Sequence, residues 1–552
     1  MRILFAGALL CSLSLAGCDA LDTKDDLNLT DEMMATRRYQ MFDWGYRVYE
    51  HIPYGFTAID GNLFAAVSDE AQYVTTFSST QRFNEGSWSA YYNPDDCYTS
   101  YYNGIYAAHD YLDKSVDYRY ILGMHRDTLT SNGLDSYRRD IVDVQRLRAE
   151  AHVLKAYYYF ELAKRYGGGP LIDRVYADQK EANLPRGTFD EVVGLILREI
   201  EGVRNELVVD WRAENLEEKS GRITRGAALA LKSRVLLYAA SPQFNPSGEK
   251  SKWAAAAAAA FEVINMGIYS LHPDYGGLFV AETSTTSPET IWAVRMGATN
   301  EFERKNYPIG TQGGGTGICP SQNLVEAYES TGYDTGDAYA GLDPRFYATV
   351  LRNGDTWNGR TLEIYAGGAD DPARQNASPT GYYLRKFLNE NLNLTNDDKR
   401  LRSWIVFRYA EILLNFAEAM NEAYGPDDAH GYGMSARDAV DAVRARSGVG
   451  MPPVDVAPGD AAAMRTAIKH ERRIELAFED HRYWDLRRWD DAGTVLNRPL
   501  RGVKVTRSGD GFAYTPFEVA KRIFDAPKMN LYPIPQAEIV KSGGVLDQNP
   551  GW

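Results

Sequence analysis

Four cysteines in 552 residues are too few for a disulfide scaffold or a multi-cluster metal protein. Basic residues are the minority: 60 Lys and Arg stand against 75 Asp and Glu, a formal net charge of -15. That balance argues against a nucleic-acid partner, which needs a basic face to neutralise phosphates. Beyond the amino terminus no stretch approaches the roughly 18 consecutive apolar residues of a membrane-crossing helix. Motifs that carry chemistry are missing as well. There is no HExxH zinc motif, no GxSxG nucleophile elbow, no Walker phosphate loop and no paired CxxC. The tract Gly313-Gly314-Gly315-Thr316-Gly317 lacks the lysine of a phosphate loop and reads as a mobile loop. The eight histidines are scattered without ligand spacing, so no metal and no cofactor are expected.

What the chain does have is an amino-terminal address. Arg2 is followed by an apolar run over 3–16 with the form of a secretory signal, and Leu15-Ala16-Gly17-Cys18 resembles the bacterial lipoprotein box. The expected boundaries are a signal peptide over 1–17, then Cys18 as the lipidated residue with an acidic tether over 18–30. Acyl chains on Cys18 would anchor the protein durably to a membrane, because each buried methylene contributes about 0.8 kcal/mol and two or three chains suffice. A single domain is expected over 31–552. Cys97 and Cys319 read as two buried thiols, with a disulfide between them the alternative.

Helical spacing of apolar residues predicts helices over 136–166, 188–207, 224–240, 252–266, 401–424, 435–447 and 460–488. Thr188 and Glu191 have capping-box spacing, and the alanine run 254–260 favours helix and close approach of a neighbour. Successive helices with short links predict a mainly α fold of stacked, tetratricopeptide-like helical pairs. Long irregular stretches rich in Gly, Asn, Asp, Pro, Tyr and Trp fall at about 50–105, 268–400 and 491–552, with a strand-like run at 290–295. They predict a second, loop-rich side, where binding residues concentrate.

Aromatics are abundant, with 37 Tyr, 20 Phe and 10 Trp. A flat ring beside amide or carboxylate groups suits a sugar, which presents apolar C–H faces and hydroxyl edges. Trp88 and Asn93, in the turn-rich segment 83–94, are ligand candidates on that ground, as are Trp292, Tyr307 and Trp357 in later loops. Tyr98, Tyr101, Tyr102 and Tyr106 have helical spacing and read as core. The charged stretch 471–489 places Arg472 with Glu475, Glu475 with Glu479 and Arg482 with Asp485 on shared helical faces, and reads as scaffold more readily than as a catalytic site.

Several segments, in order, resemble the RagB/SusD family of nutrient-binding outer-membrane lipoproteins of Bacteroidetes. They are Arg408-Tyr409-Ala410-Glu411-Ile412-Leu413-Leu414, Val443-Arg444-Ala445-Arg446-Ser447-Gly448, the stretch 471–489, Tyr532-Pro533-Ile534-Pro535 and Gln548-Asn549-Pro550-Gly551-Trp552. Arg146, Glu150, Arg165, Gly167, Gly168 and Pro170 match an earlier helix of the family. The resemblance implies four tetratricopeptide-like helical pairs supporting an irregular, loop-rich ligand side, and a protein that binds oligosaccharide or polysaccharide without cleaving it. It further implies a place at the cell exterior, lipid-anchored in the outer membrane, as a lid on a SusC-like TonB-dependent transporter. Through it Asp69 joins Trp88 and Asn93 as an early ligand cluster, with Trp292 or Tyr307 the later one. A peptide or other nutrient, a purely protein-interaction role and a surface glycoside hydrolase are the alternatives.

Overall fold

The computed structural model describes residues 31–552 except 179, 215–218, 281–282, 331–336 and 338. The signal segment, Cys18 and the acidic tether lie outside the described residues. Among the described residues ten helices have seven residues or more: α1 Arg38–Arg47, α2 Tyr98–Lys114, α3 Ser131–Tyr166, α4 Phe189–Val203, α5 Arg225–Ala240, α6 Lys250–Ile264, α7 Tyr409–Tyr424, α8 Ala436–Arg444, α9 Ala461–Glu475 and α10 Arg482–Arg488. Their ends follow local chemistry. Thr130, Thr188 and Thr224 each accept a hydrogen bond from the backbone N–H three residues on, and Thr188 with Glu191 closes the capping box expected from the sequence. Helix α3 stops at Gly167, whose φ of 80° places it in the left-handed region that glycine enters without strain.

Neighbours in sequence are neighbours in space. Helix α3 packs on α2 and α4, α6 on α5 and α7, and α7 on α8 and α9. This is the tetratricopeptide-like arrangement expected from the sequence. The alanine run allows it locally: Ala256, Ala257, Ala259 and Ala260 are all buried, so the backbone of α6 comes close to its neighbours. One cluster of buried apolar residues extends from Met41 to Ile534.

Two expected helices are corrected. Residues 400–408 form strand β4 (Arg400–Arg408), antiparallel to β2 (Thr290–Thr299), and helix α7 begins only at Tyr409. Along β4, Arg402, Trp404 and Val406 are buried while Ser403 and Ile405 are half-exposed, a period of two that only a strand can satisfy. The stretch 460–488 is broken between α9 and α10, where Phe478 and Asp480 take φ of 67° and 59°. The reversal lets Arg472 on α9 meet Asp485 on α10 at 3.1 Å, and leaves the Ala477 carbonyl free to accept from Lys386 at 2.8 Å.

Strand β1 (Ala71–Tyr73) pairs antiparallel with β3 (Ile318–Pro320), and β5 (Leu500–Ser508) and β6 (Gly511–Ala520) form a separate hairpin. The Gly313–Gly317 tract is packed, contrary to its reading as a mobile loop. A Cβ on Gly314 would lie 2.6 Å from the Pro308 carbonyl oxygen, and one on Gly315 would lie 2.9 Å from that of Arg304. Glycine is needed there for close backbone approach.

Candidate ligand-binding face

Strand β1 delivers the chain to the loop-rich side. Beyond Tyr73 the Val74 N–H still donates to Gly317 O at 2.9 Å. Ser78 then caps a short helix, Ser79–Asn84, by accepting from Gln81 N. A tight turn follows, closed by the bridge between Ser89 and Tyr92. This segment divides its rings between two directions. Phe83 and Trp88 point inward and stack at 5.0 Å, while Phe77, Tyr91 and Tyr92 face solvent with exposures of 95%, 83% and 40%. Tyr92 is fixed by its hydroxyl, which donates to Ser79 Oγ at 2.8 Å, and the Arg82 guanidinium lies 5.7 Å from its ring centre. Gln81 Nε2 donates to Glu85 Oε1 at 3.0 Å on the same short helix. The segment thus turns three rings to solvent and sets amide, guanidinium and carboxylate groups on the short helix that Tyr92 contacts, the mixture that hydroxyl-rich ligands use.

Of the six residues singled out from the sequence, all but Asn93 lie away from these rings, and each placement has a physical cause. Trp88 is a core residue: it is 5% exposed, packed between Phe83, Tyr532 and Trp552, the last at 4.6 Å. Asp69 is buried and accepts from Arg482 at 2.8 and 3.0 Å and from Arg473 at 2.7 Å. Burial alone would raise its pKa, but these guanidiniums hold its carboxyl well below the usual range. Asn93 is half-buried and shapes the turn, its Oδ1 accepting from Asp95 N at 3.0 Å beside the exposed tyrosines. Trp292 packs on Tyr157 and Phe407, with its indole N–H donating to Gly221 O at 2.8 Å. Tyr307 is fully buried and donates to Asn389 O. Trp357 meets Tyr307 edge to face at 5.2 Å and forms one wall of a cavity of about 590 Å³ that Tyr347, Arg385, Glu390 and Arg400 also border. Of the six, Asn93 alone adjoins the exposed rings.

Phe77, Tyr91 and Tyr92 were not singled out. A signal for the tyrosines existed in the dipeptide Tyr91-Tyr92 before Asn93-Pro94, since a tight turn cannot turn both rings inward. Cys97 and Cys319 are free thiols, and burial pushes Cys319 up to about 12. Among the described residues no group of three or more His, Cys, Asp or Glu is placed to hold a metal ion.

The charged stretch 471–489 is structural. Glu475 accepts from Arg345, Arg408 and Arg446, and Glu479 accepts from Arg408 and Lys386, all buried. Arg488 donates to Glu418 and Asp485, joining α10 to α7. These contacts join segments far apart in the chain, the use to which bidentate guanidinium pairs are suited.

Residues 288–552 match the family model described as "SusD family", and residues 21–237 match one described as "Starch-binding associating with outer membrane". The chain belongs to the SusD family. A SusD-like protein P2 of Formosa agariphila is 24% identical over 445 residues, covering 78% of this chain and 79% of the relative. A SusD-like protein from Bacteroides fragilis superposes with a TM-score of 0.76 at 27% identity, covering 95% of this chain and 99% of that one. A SusD-like carbohydrate binding protein from the same organism superposes with a TM-score of 0.74 at 23% identity, over 93% and 99% of the two chains. SusD-family proteins bind without catalysis, and the buried carboxylates of this member are scaffold.

Proposed function

We propose that this SusD-family protein captures oligosaccharide or polysaccharide at the cell surface and passes it to a SusC-like TonB-dependent transporter. The observation that carries the reading is the outward set Phe77, Tyr91 and Tyr92 on the loop-rich side, with Arg82, Glu85 and Asn93 beside it. Tyr92, held by Ser79 and the closed turn, presents a fixed ring, so that part of the site is ordered before a sugar chain arrives. An open platform gives modest affinity, which suits a ligand that must leave again for the pore. In this reading residues 1–17 are removed, Cys18 carries the acyl chains, 18–30 is a tether to the outer membrane and 31–552 is one domain. Asp69, Trp88, Trp292, Tyr307 and Trp357 are assigned to the scaffold rather than to the ligand.

A glycan array probed with the purified full chain tests the proposal. Binding to a family of related glycans, lost when Tyr91 and Tyr92 are both changed to alanine, is the expected outcome. Binding confined to peptides, or glycan binding indifferent to both tyrosines, would overturn it.

A further inference from the structure

The turn that carries Tyr91 and Tyr92 is bonded to the carboxyl-terminal end of the chain. Ala90 O accepts from Gln536 N at 2.8 Å, and Gln536 opens the short helix Gln536–Lys541. Glu538 and Lys541, further along that helix, border a cavity of about 270 Å³. At 1.5 Å per residue they stand about 3 and 8 Å along its axis from Gln536, so the cavity adjoins the turn. Helix α2, which begins at Tyr98 soon after the turn, supplies a second wall.

The cavity joins an apolar lining to polar groups that the protein leaves open. Tyr98, Pro170, Ile172, Leu184 and Leu546 make the apolar part. Thr99 and Asn103 are four apart on α2, share a face and are exposed, and among the described residues neither side chain has a hydrogen-bond partner. Asn183 gives its Nδ2 to Ser542 O at 2.8 Å, which leaves its Oδ1 open. Glu538 and Lys541 pair at 2.7 Å, and as the only charged residues of the lining they cancel, which disfavours phosphate, sulfate or a polyanion. A hydroxyl, two amides and a neutral ion pair against an apolar wall match a neutral sugar ring, whose C–H face needs apolar contact and whose hydroxyls need donors and acceptors. The volume is many times what one water needs and falls just below that of drug-sized ligand sites, which suits one ring rather than a chain. Tyr106, expected in the core, is instead 52% exposed on the face of α2 that carries Tyr102 and Asn103.

We propose, on the glycan reading above, that this cavity is a second subsite, holding one neutral sugar ring of a glycan whose other units lie on Tyr91 and Tyr92. The protein then prefers an oligosaccharide long enough to reach both places. Two weak contacts joined by one ligand bind more tightly than either alone, because the second is made within the complex.

The test titrates the full chain, purified in detergent, with the glycan that binds best on the array, cut into a series from disaccharide to octasaccharide. Native affinity is expected to rise with length and then level off. Thr99→Ala with Asn103→Ala removes two exposed polar groups and no core packing. It is expected to weaken the longer chains about tenfold, as for two neutral hydrogen bonds, and to flatten the rise, with the thermal midpoint unchanged. Crystals soaked in the longest chain give a second readout: a sugar ring beside Thr99, Asn103 and Glu538 supports the subsite. Native length dependence in the double variant, or an empty cavity while sugar occupies Tyr91 and Tyr92, would overturn the subsite and leave the platform standing. Indifference to both tyrosines, with binding lost in the Thr99 and Asn103 variant, would keep the cavity as a sugar site and overturn the platform instead.

Discussion

Arg408 and Glu475 are 67 positions apart in the chain, yet Arg408 Nη1 donates to Glu475 Oε1 at 2.7 Å inside the protein. Arg408 is the last residue of β4 and the cap position of α7, while Glu475 closes α9. The same guanidinium also reaches Glu289 and Glu479, so one side chain fixes β2, β4, α9 and the turn after it. Burial would raise the Glu475 pKa, but Arg446, Arg408 and Arg345 together hold it far below the usual range. Removing Arg408 leaves Glu289, Glu475 and Glu479 buried and charged with only Arg345, Arg446 and Lys386 to offset them. Arg408→Met is therefore expected to cost about 3–5 kcal/mol of stability, read as a fall in the urea midpoint with little change of slope. A change below about 1 kcal/mol would mean that the network is dispensable.

Trp88 and Tyr91 are three residues apart and have opposite duties, and paired substitutions separate them. Trp88→Ala empties a site between Phe83, Tyr532 and Trp552, and is expected to destabilise by about 3–5 kcal/mol. Tyr91→Ala with Tyr92→Ala removes rings that already face water, so stability should change by about 1 kcal/mol or less. Glycan affinity should nevertheless fall at least tenfold. Calorimetric titration beside thermal unfolding reads both quantities, and the reverse pattern would move the ligand site to Trp88.

Glu70 sets a pH dependence of unusual sign. Its carboxyl is buried, Oε2 accepts from Phe478 N at 3.3 Å, and burial together with Asp69 raises its pKa from 4.5 to about 8. The folded state thus holds the proton more tightly than the unfolded chain. Its contribution to stability is complete below about pH 4.5 and is lost as pH rises toward 8. Native protein should therefore lose stability between pH 5 and about 8.5, and Glu70→Gln, which stays neutral and keeps an acceptor for Phe478 N, should flatten that decline. Urea midpoints across the range provide the check; parallel profiles for the two proteins would remove Glu70 as the cause.

Sequence reasoning reached the scaffold further than the site, for reasons visible in particular residues. The helices α4 and α5 carry caps, and α6 an alanine run, that act locally, so Thr188 with Glu191 announced a helix start before any tertiary contact was known. Strand β4 was misread because Leu401, Ile405 and Phe407 also fit a helical stripe running into α7; only pairing with β2 selects the period of two. The break at Phe478 was hidden because Leu476-Ala477-Phe478 continues the apolar pattern of α9. What turns the chain there is a demand from elsewhere: Lys386 and Glu70 both bond its backbone. At the site the difficulty is sharper. Composition shows that a turn holds rings, but not which of them point inward. Trp88 is inside because Tyr532 and Trp552, more than 440 positions later, close over it.

The glycine tract beside β3 offers the last discrimination, between a loop that needs room and one that is held. A Cβ on Gly314 would sit 2.6 Å from Pro308 O and 2.7 Å from Tyr307 O, both backbone atoms that cannot rotate away. Gly297, in β2, has nothing within 4 Å of the corresponding point. Gly314→Ala is therefore expected to destabilise by about 1–3 kcal/mol, the range for overpacking, while Gly297→Ala stays near neutral. The consequence should extend to binding. Gly317 O holds Val74 N–H at the start of the chain leading to Phe77, so a displaced tract shifts the platform's first strand. Unfolding midpoints and glycan affinity measured on both variants read the effect. If Gly314→Ala matches Gly297→Ala in both, the tract accommodates a side chain and its packing does not position the platform.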